Sequence, residues 1–412
     1  MAAVKYGLWG ICRIIIRDVF LLEAVKTGSE RQKRGIDMKD SGNRQRSTER
    51  KRREQWNGKH KNRKWGNARQ ADRKTAGKPG QRQTPRVTVV IPNYNGKKYI
   101  EACLDSLCQG SLVPEIIVVD NGSADGSTER IRRWMNRRNR KKCPSCRLVC
   151  FTQNKGFCAA VNTGIRLAKT EYVILLNNDT EADSDFVKNL YLAIRKRKNA
   201  FSVSAKILSL HQPEVIDDAG DLYCALGWAF ALGKGKKRTA YGKEAKIFAA
   251  CGCAAIYRKS IFETIGYFDE NHFAYLEDID IGYRAKISGY DNYYTPDALA
   301  YHAGSAVTGS RYNDFKVYFA ARNSIYLIYK NMPAVQILCN LPFLAAGVGM
   351  KALFFTGKGM GKTYLEGIAE GLRLSASEKG KKQKVPFRPE CLGNYGKIQL
   401  ELWQNTVRRL IG

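Results

Sequence analysis

The sequence predicts an α/β fold with a mostly parallel sheet flanked by helices. Four short apolar runs alternate with stretches whose apolar residues recur at helical spacing. One run ends in Asp120, and another is followed by two asparagines and Asp179. Strands that alternate with helices in this way predict βαβ units, and ligands of such sheets bind beyond the carboxyl ends of the strands.

The first strand is predicted at 87–91, where Pro92 and the turn Asn93–Gly96 stop it. Gly-rich turns and helical periodicity then place the other elements in order. The further predicted strands are 115–120, 148–151, 172–176 and 249–257. The predicted helices are 100–107, 127–138, 157–168, 184–197, 260–265, 277–288 and 312–330.

Charge is distributed unevenly along the chain, whose formal net charge is +32. Residues 1–86 carry 24 Lys and Arg against 8 Asp and Glu, and from residue 28 they contain almost no apolar clusters. This composition predicts a mostly disordered basic extension, with an amphipathic helix over residues 5–26. A basic tail suits an anionic partner such as a membrane, a phosphorylated glycolipid or nucleic acid, and equally a solvated tail without a partner.

Twelve cysteines are spread over the chain. In a long chain without a clear signal peptide we expect them to be reduced cytosolic thiols. Cys143 and Cys146 form an isolated CxxC, and no second pair has the spacing of a four-ligand zinc site.

Residues 331–350 carry no formal charge. Their length could span a bilayer, but Asn331, Pro333 and Pro342 favour an interfacial or re-entrant segment, and a buried soluble helix stays open. Residues 333–412 are therefore predicted to form a helical, membrane-associating region, following a catalytic domain at 87–332.

Carboxylates recur where a parallel sheet would expose them. Asp120 and Asp179 follow strands, and Glu277, Asp278 and Asp280 open a predicted helix. Strand-end and helix-start acids also serve as turn or helix caps. The positions favour a metal or phosphate site without excluding that structural role.

Eight motifs in order resemble a family 2 glycosyltransferase of the GT-A fold, a Rossmann-like nucleotide-binding architecture, in its rhamnosyl- and galactofuranosyl-transferase-like branch. They cover roughly residues 87–332. The motifs are Val89–Asn95, Val118–Ser123, Asn154–Phe157 with Asn162–Gly164, Leu175–Thr180, Ile265–Glu270, Glu277–Asp280 with Arg284, His302–Gly304, and Arg322 with Asn323.

The resemblance implies a nucleoside-diphosphate sugar donor, with Asp120 accepting a hydrogen bond from the pyrimidine. The residues implied to bind the donor are Pro92, Asn93, Tyr94, Asn95, Asp120, Asn154, Gly156, Asn162 and Asn178. It also implies that Asp179 and His302 bind Mg²⁺ or Mn²⁺, and that Asp278 is the general base beside Glu277. The chain departs from the metal motif at Asn177, so we expect the donor phosphates to supply more of the metal ligation.

On the acceptor side, Trp228 is a candidate to stack on a sugar ring, although most tryptophans are packing residues. Arg284 is a candidate acceptor contact, but its spacing from Asp280 favours a helix-surface pair. His272 is equally compatible with an acceptor contact or packing, and His211 is expected to be exposed.

Together these features predict an inverting, metal-dependent transferase in cell wall polysaccharide biosynthesis. It would move a sugar, with rhamnose as the candidate, to a cell-envelope glycan or polyprenyl-linked acceptor. It would lie at the cytoplasmic face of the membrane, with the anionic bilayer as a partner and nucleic acid not expected. The alternatives are a nucleotidyltransferase, disfavoured because the turn after the first strand lacks a basic phosphate-gripping loop, and a nucleic-acid- or membrane-binding scaffold on an inactive GT-A fold.

Overall fold

The computed structural model describes residues 87–138, 143–304 and 312–411. These residues belong to one compact unit. The predicted basic extension and its helix at 5–26 lie outside the described residues, and the domain boundary proposed at 332/333 stays a prediction.

Short strands and helices alternate through the first half of this unit, as the periodicity predicts. The strands are β1 Val87–Asn93, β2 Glu115–Asp120, β3 Cys146–Cys150, β4 Tyr172–Leu176, β5 Thr180–Ala182, β6 Ala200–Ser209, β7 Ile216–Asp218, β8 Asp221–Tyr223, β9 Ala229–Ala231, β10 Ala245–Ile247, β11 Ala254–Arg258 and β12 Asp291–His302. The helices are α1 Ile100–Cys108, α2 Ser127–Arg137, α3 Phe157–Leu167, α4 Phe186–Arg195, α5 Lys259–Ile265, α6 Glu277–Ile287, α7 Asp314–Asn331, α8 Ala334–Gly357, α9 Gly361–Ala376, α10 Glu378–Gln383 and α11 Leu392–Ile411.

A ten-stranded mixed sheet forms the centre of the unit, and its main path runs β10-β12-β6-β11-β4-β1-β2-β3. β1 pairs in parallel with β2 and β4, and β2 pairs in parallel with β3, as predicted. β11 runs antiparallel to both β4 and β6, whereas β12 is parallel to β6. The α/β prediction is confirmed, with parallel pairing concentrated in the first four strands.

Helices cover both faces of the sheet and bury separate apolar clusters. On one face, Leu104 of α1, Trp134 of α2 and Phe186 of α4 pack with the buried side chains of β1 and β4. On the other, Val161 of α3 and Phe262 of α5 pack with the alternate side chains of the same strands. Because β1 and β4 bury both faces, nearly all their residues are apolar.

The cysteines depart from the expectation of uniformly reduced thiols. Cys108, at the end of α1, forms a disulfide with Cys143, just before β3. The chain between them crosses α2 and returns to the sheet edge, which brings together two cysteines that lie 35 positions apart. Nine other described cysteines are free thiols.

Helices α7 to α11 follow the sheet domain and pack against it. Gly367 and Gly371 of α9 face the backbone of α7, where a Cβ would meet the carbonyl oxygens of Tyr318 and Arg322, so the two helices approach closely. α8 has the length and apolar composition of a membrane span, with a mean hydropathy of 1.6, and 17% of that window is buried. The uncharged segment predicted at 331–350 is thus mostly helix.

Candidate active site

Asn93 ties together the carboxyl ends of three neighbouring strands. Its side-chain amide donates to Asp120 Oδ1 at 2.7 Å and to Ser127 Oγ at 3.0 Å. Its side-chain oxygen accepts from Asn178 Nδ2 at 2.8 Å. Because Asn93 is fully buried, this predicted donor-binding residue organises the edge rather than presenting its own side chain to solvent.

The carboxylate of Asp120 accepts four hydrogen bonds from its own surroundings. Oδ1 accepts from Asn93 and from Ser123 Oγ at 2.7 Å, and Oδ2 accepts from Ser123 N at 3.2 Å and Thr128 Oγ1 at 2.9 Å. Four lone-pair sites are the usual capacity of a carboxylate. The predicted contact with a pyrimidine N–H therefore requires one of these bonds to be exchanged.

The turn after β1 is hydrogen-bonded to the loop that follows β2. Asn95 has a φ of 49°, in the left-handed region. Its backbone N–H donates to Ser123 Oγ at 3.0 Å, and its side chain accepts from Ala124 N at 3.0 Å. Pro92 and the exposed Tyr94 flank Asn93 in this turn.

A second hydrogen-bonded loop leads into α3. Asn121 Nδ2 donates to Asn154 Oδ1 at 2.8 Å and to Gly156 O at 3.0 Å. Gly156 has a φ of 88°, and a Cβ there would lie 2.7 Å from Phe273 O, so glycine is required for this contact. The loop thereby links the carboxyl end of β2 to the segment that precedes α6.

Asn162 lies on α3 with both ends of its amide engaged by another segment. Nδ2 donates to Phe268 O at 2.8 Å and to Glu270 Oε1 at 3.0 Å, and Oδ1 accepts from Phe268 N at 3.0 Å. These bonds anchor the chain before α6 to α3, and the direct donor contact that the resemblance implies for Asn162 stays a prediction.

Asp179 and His302 come together from β-strand ends that are distant in sequence. His302 Nε2 lies 3.4 Å from Asp179 Oδ1, and His302 Nδ1 lies 2.8 Å from Asp217 Oδ2. Burial lowers the pKa of His302, but Coulomb attraction to Cys253 and hydrogen bonds to Asp179 and Asp217 outweigh it and raise that pKa well above its usual value.

Neighbouring residues of β7 point to opposite sides of the strand and enter different groups. Asp217 faces His302 and also accepts from Lys234 Nζ at 2.5 Å. Asp218 is buried beside the half-buried Asp221 and Cys251, and the ligand atoms of these three residues lie within 4.8 Å of one another. The alternation of a strand thus connects the Asp179–His302 pair to a second set of metal-ligand-type side chains.

Asp278 joins this second set through a hydrogen bond with Asp221. Burial raises the pKa of Asp221 well above the usual carboxyl range, and the charges of Asp218 and Asp278 raise it further. Burial also raises the pKa of Asp278, although hydrogen bonds from Ile279 N and Asp221 lower it. Asp221 is therefore the protonated partner and donates to the carboxylate of Asp278.

Glu277 is the fourth acid of this group, and one oxygen of its carboxyl is buried. Its Oε2 has no hydrogen-bond partner among the described residues. Burial raises the pKa of Glu277 to about 8, with the charge of Asp278 as the next contribution. Asp218, Asp221, Glu277 and Asp278 are called the acid cluster below.

Asp280 lies only two residues after Asp278 but faces cations. It accepts from Arg284 Nη2 at 2.6 Å, from Lys330 Nζ at 3.0 Å and from Asn331 Nδ2 at 2.8 Å. Burial opposes its ionisation, but the charges of Arg284 and Lys330 outweigh burial and hold the pKa of Asp280 well below its usual value. Lys330 also binds Asp269 at 2.8 Å. Asp269, Asp280, Arg284 and Lys330 are called the ion network below.

All five N–H groups of Arg284 are used within the protein. Besides two bonds to Asp280, they donate to the carbonyl oxygens of Ile265, Gly266 and Tyr267. This leaves no N–H for the predicted acceptor contact, and it favours the alternative that Arg284 orients its surroundings. His272 is likewise fully buried, and burial lowers its pKa to about 4.

The segment that leads into Glu277 has a strained backbone. Phe273, Tyr275 and Leu276 have φ values of 60°, 72° and 64°. The buried Asn323 Nδ2 lies within 2.9 Å of the carbonyl oxygens of His272, Ala274 and Tyr275. Arg322 Nη2 also bonds to His272 O, and to Asn271 O just before it. The Arg322–Asn323 pair therefore fixes the approach to the acid cluster.

Trp228, the candidate sugar-stacking residue, lies in the β8–β9 hairpin and packs against α8. Its Nε1 donates to Gly347 O at 3.1 Å, and the amino group of Lys351 lies 5.5 Å from its ring centroid. Trp228 is half-buried, so part of its ring is covered by these contacts. His211 is exposed, as expected.

Asp217, Asp218 and Asp221 are the site residues that the sequence prediction missed. They fall in a polar stretch without helical or strand periodicity, and β7 and β8 are only three residues long. The one available signal was local acid density, with three aspartates in the five residues 217–221.

Comparison with known proteins gives one family match. Residues 88–266 match the model of the family described as Glycosyl transferase family 2. The low-salt glycan biosynthesis hexosyltransferase Agl10 of Haloferax volcanii is 27% identical over 254 residues, which are 58% of this chain and 76% of that protein. The N-acetylglucosaminyl-diphospho-decaprenol L-rhamnosyltransferase of Mycobacterium tuberculosis is 26% identical over 255 residues, 55% of this chain and 78% of that protein.

Other similarities cover a shorter stretch of the chain or are with solved structures at low identity. Glycosyltransferase GlyG of Streptococcus pneumoniae is 33% identical over 113 residues, which span 27% of this chain and 36% of GlyG. Among solved structures, S. aureus TarS 1-349 in complex with UDP-GlcNAc aligns with a TM-score of 0.46 at 16% identity, over 77% of this chain and 89% of TarS 1-349. The Pyrobaculum calidifontis mannosyltransferase in complex with GDP-Man and Mn²⁺ aligns with a TM-score of 0.44 at 20% identity, over 80% and 88%.

Proposed function

We propose that this chain, which carries a family 2 glycosyltransferase domain at residues 88–266, transfers a sugar from a nucleoside diphosphate to an acceptor hydroxyl with inversion at the anomeric carbon. The observation that carries the proposal is the position of Asp278, half-buried in the first turn of α6 beside Glu277 and Asp221, where burial raises its pKa. Asp179 and His302 lie at a neighbouring strand end.

Asp278 is the proposed general base. A sugar hydroxyl becomes a useful nucleophile when its proton is removed as it attacks. A carboxylate whose pKa is raised by burial is a stronger base than one in water. The raised pKa of Asp221 keeps the carboxyl of Asp221 itself protonated and neutral beside Asp278. Glu277, with a pKa of about 8, limits the negative charge of the acid cluster at neutral pH.

The pair Asp179 and His302 fits a divalent cation, Mg²⁺ or Mn²⁺. Asp217 accepts the hydrogen bond of His302 Nδ1, and a cation bound at Nε2 on the side of Asp179 would displace the proton that the raised pKa of His302 places there. Carboxylate–histidine pairs of this form orient the ligand ring at many metal sites. The cation would offset the charge of the departing diphosphate. Asn177 contributes no charge here, so the donor phosphates would complete the ligand set.

The donor nucleotide would lie along the edge organised by Asn93, with the turn Pro92–Asn95 beneath it and the Asn154–Gly156 loop beside it. Backbone N–H groups and amide side chains dominate this edge, which suits a neutral base and ribose. The diphosphate would extend from there towards Asp179.

Rhamnose is the proposed sugar, and a cell-envelope glycan or polyprenyl-linked molecule the proposed acceptor. The support is the detailed motif pattern and the similarity to one relative named as a rhamnosyltransferase and another named as a hexosyltransferase. The proposed location is the cytoplasmic face of the membrane, consistent with the apolar helix α8.

The proposal is tested with the purified full chain and a panel of nucleotide sugars that includes dTDP-rhamnose, UDP-hexoses and GDP-mannose. We expect one donor to release its nucleoside diphosphate, and this release to require Mn²⁺ or Mg²⁺ and to stop with EDTA. Mass spectrometry identifies the product, and NMR reports its anomeric configuration. A folded, metal-supplemented protein that cleaves no donor with glycan or polyprenyl-diphosphate acceptors present would contradict the proposal.

A further inference from the structure

Helix α8 is amphipathic, but its polar face is buried and its apolar face is exposed, the reverse of a surface helix in a soluble protein. Its buried residues are Gln336, Asn340, Leu344 and Gly347, a stripe that is largely polar or small. Its outward residues are apolar, with Val335, Leu338 and Leu353 exposed by 72%, 68% and 77%. A helix that turns polar side chains towards the protein and apolar ones outward has the pattern of a surface in contact with lipid.

The inward polar residues are fully engaged. Gln336 accepts from Tyr283 OH of α6, and Asn340 exchanges two 2.8 Å hydrogen bonds with Gln399 of α11. Asn340 also accepts from Trp403 Nε1 at 3.1 Å. These bonds hold α8 against the sheet domain and against α11.

α11 extends the same surface. Its buried side chains follow one stripe, and Leu400, Trp403, Val407 and Ile411 form a second stripe that is exposed. Because Trp403 bonds to Asn340, this stripe lies beside α8. The outer apolar face is defined by Val335, Leu338, Leu341, Phe343, Leu353, Leu400, Trp403, Val407 and Ile411.

Charge identifies what covers this face. Residues 334–411 carry 12 Lys and Arg against 5 Asp and Glu. A region that combines an apolar face with an excess of positive charge complements an anionic bilayer, whose headgroups attract Lys and Arg while the interface accepts apolar side chains. We infer that the outer apolar face docks on an anionic membrane surface with α8 lying in the plane of the interface rather than crossing it.

The in-plane orientation follows from the contacts of α8. A crossing helix would carry Gln336 and Asn340 through the hydrocarbon core and would break their bonds to Tyr283 and Gln399, each broken bond leaving a polar group unsatisfied. An in-plane helix keeps all of these bonds. It places only the apolar side chains in the lipid.

This orientation also relates the membrane to the acid cluster. α8 meets the β8–β9 hairpin at Gly347, where the carbonyl oxygen binds Trp228 and a Cβ would collide with Leu226 O. α11 binds the same hairpin, since Asn405 donates to Tyr223 O at 3.0 Å. Asp221 begins β8 of that hairpin. The docked face would therefore hold the acid cluster near the membrane. This inference rests on the proposed function for one point, that the acceptor is linked to a lipid.

The experiment measures sedimentation of the full chain with phosphatidylglycerol vesicles and with phosphatidylcholine vesicles, at low and high salt. Binding by basic segments alone weakens as salt rises, whereas apolar insertion persists. We expect wild type to stay bound to phosphatidylglycerol vesicles at high salt, and the double variant Leu338→Glu, Leu341→Glu to bind about tenfold more weakly there. Leu192→Glu on α4, also an exposed leucine, is the matched control and should bind as wild type.

Two results would overturn the inference. One is equal vesicle binding by wild type and the double variant at every salt concentration, which would assign binding to other basic segments. The other is wild-type protein that stays in the membrane after an alkaline wash, as a spanning helix does. Donor cleavage by the double variant with a soluble acceptor is measured in parallel, so that a failure of docking is distinguished from a failure of the proposed sugar transfer.

Discussion

The acid cluster and the ion network lie on either side of α6, and they shift the pKa of an aspartate in opposite directions. Asp278 is half-buried among other acids and its pKa is raised, whereas Asp280, two residues later, is fully buried with Arg284 and Lys330 and its pKa is lowered. A helix turns its successive side chains by about 100°, so two acids of one motif reach different environments. Burial alone does not tell whether a carboxylate serves catalysis or stability, because the charges of its neighbours determine its protonation state.

Asp280→Asn should give the largest loss of stability. The substitution leaves Arg284 and Lys330 buried with less negative charge around them, and breaking a buried pair costs about 3–5 kcal/mol. Chemical denaturation of the full chain measures the free energy of unfolding. Asp278→Asn, the same change in the acid cluster, is the control and should be at least as stable as wild type; equal destabilisation of the two variants would contradict the comparison.

Asp217→Asn should weaken divalent-ion affinity by about 10- to 100-fold, since residues that orient a ligating histidine have effects of this size. Calorimetric titration with Mn²⁺ in the presence of a nucleoside diphosphate measures the affinity. Glu214→Gln, an exposed acid two residues before β7, is the matched control. Unchanged Mn²⁺ affinity in Asp217→Asn would remove this residue from the site.

Asn323→Ala should act on the segment that joins the ion network to the acid cluster. Loss of this donor removes the bonds to the carbonyl oxygens of Ala274 and Tyr275, at a cost of about 1–3 kcal/mol, whereas His272 O keeps its bond from Arg322. We expect kcat to fall with little change in the KM for the donor, because the strained segment positions Glu277 and Asp278. Asn189→Ala on α4 removes an exposed side-chain bond and serves as control; a change confined to KM would argue against a positioning role.

Glu277→Gln should have the smallest effect of these substitutions, a change in how stability depends on pH. The folded-state pKa of Glu277 is raised to about 8, so the stability from its neutral form is complete below its ordinary pKa and is lost as pH rises through 8. Wild type should therefore lose more Tm between pH 7 and pH 9 than the glutamine variant, by about 2 °C or more. Parallel Tm profiles for the two proteins would show that the carboxyl is not enclosed.

The first four strands were predictable because they carry their own signal. β1, β2 and β4 are buried on both faces, so they read as unbroken apolar runs that end at turn residues. β6 is equally central but contains Ser202, Ser204 and Lys206, whose polar groups find partners inside the protein. Its polarity is offset by tertiary contacts that no local pattern contains.

The candidate site divides in the same way. Asp179, His302 and Asp278 were found through motifs. Asp217 and Asp221 became visible only in the folded chain, where Asp217 contacts His302 at the end of β12 and Asp221 contacts Asp278 at the start of α6. Arg284 and Asn162 lie within matching motifs, but their hydrogen bonds assign them to holding the chain before α6. The pairing of Cys108 with Cys143 likewise depends on the path of the chain around α2.

The most direct test of the account is acceptor transfer by Asp278→Asn, measured per folded molecule with saturating donor and Mn²⁺. The account predicts a loss of about 10²- to 10⁴-fold in kcat, the size of a general-base contribution, with nucleoside-diphosphate binding and Tm unchanged or improved. Transfer at the wild-type rate by a folded Asp278→Asn protein would contradict it.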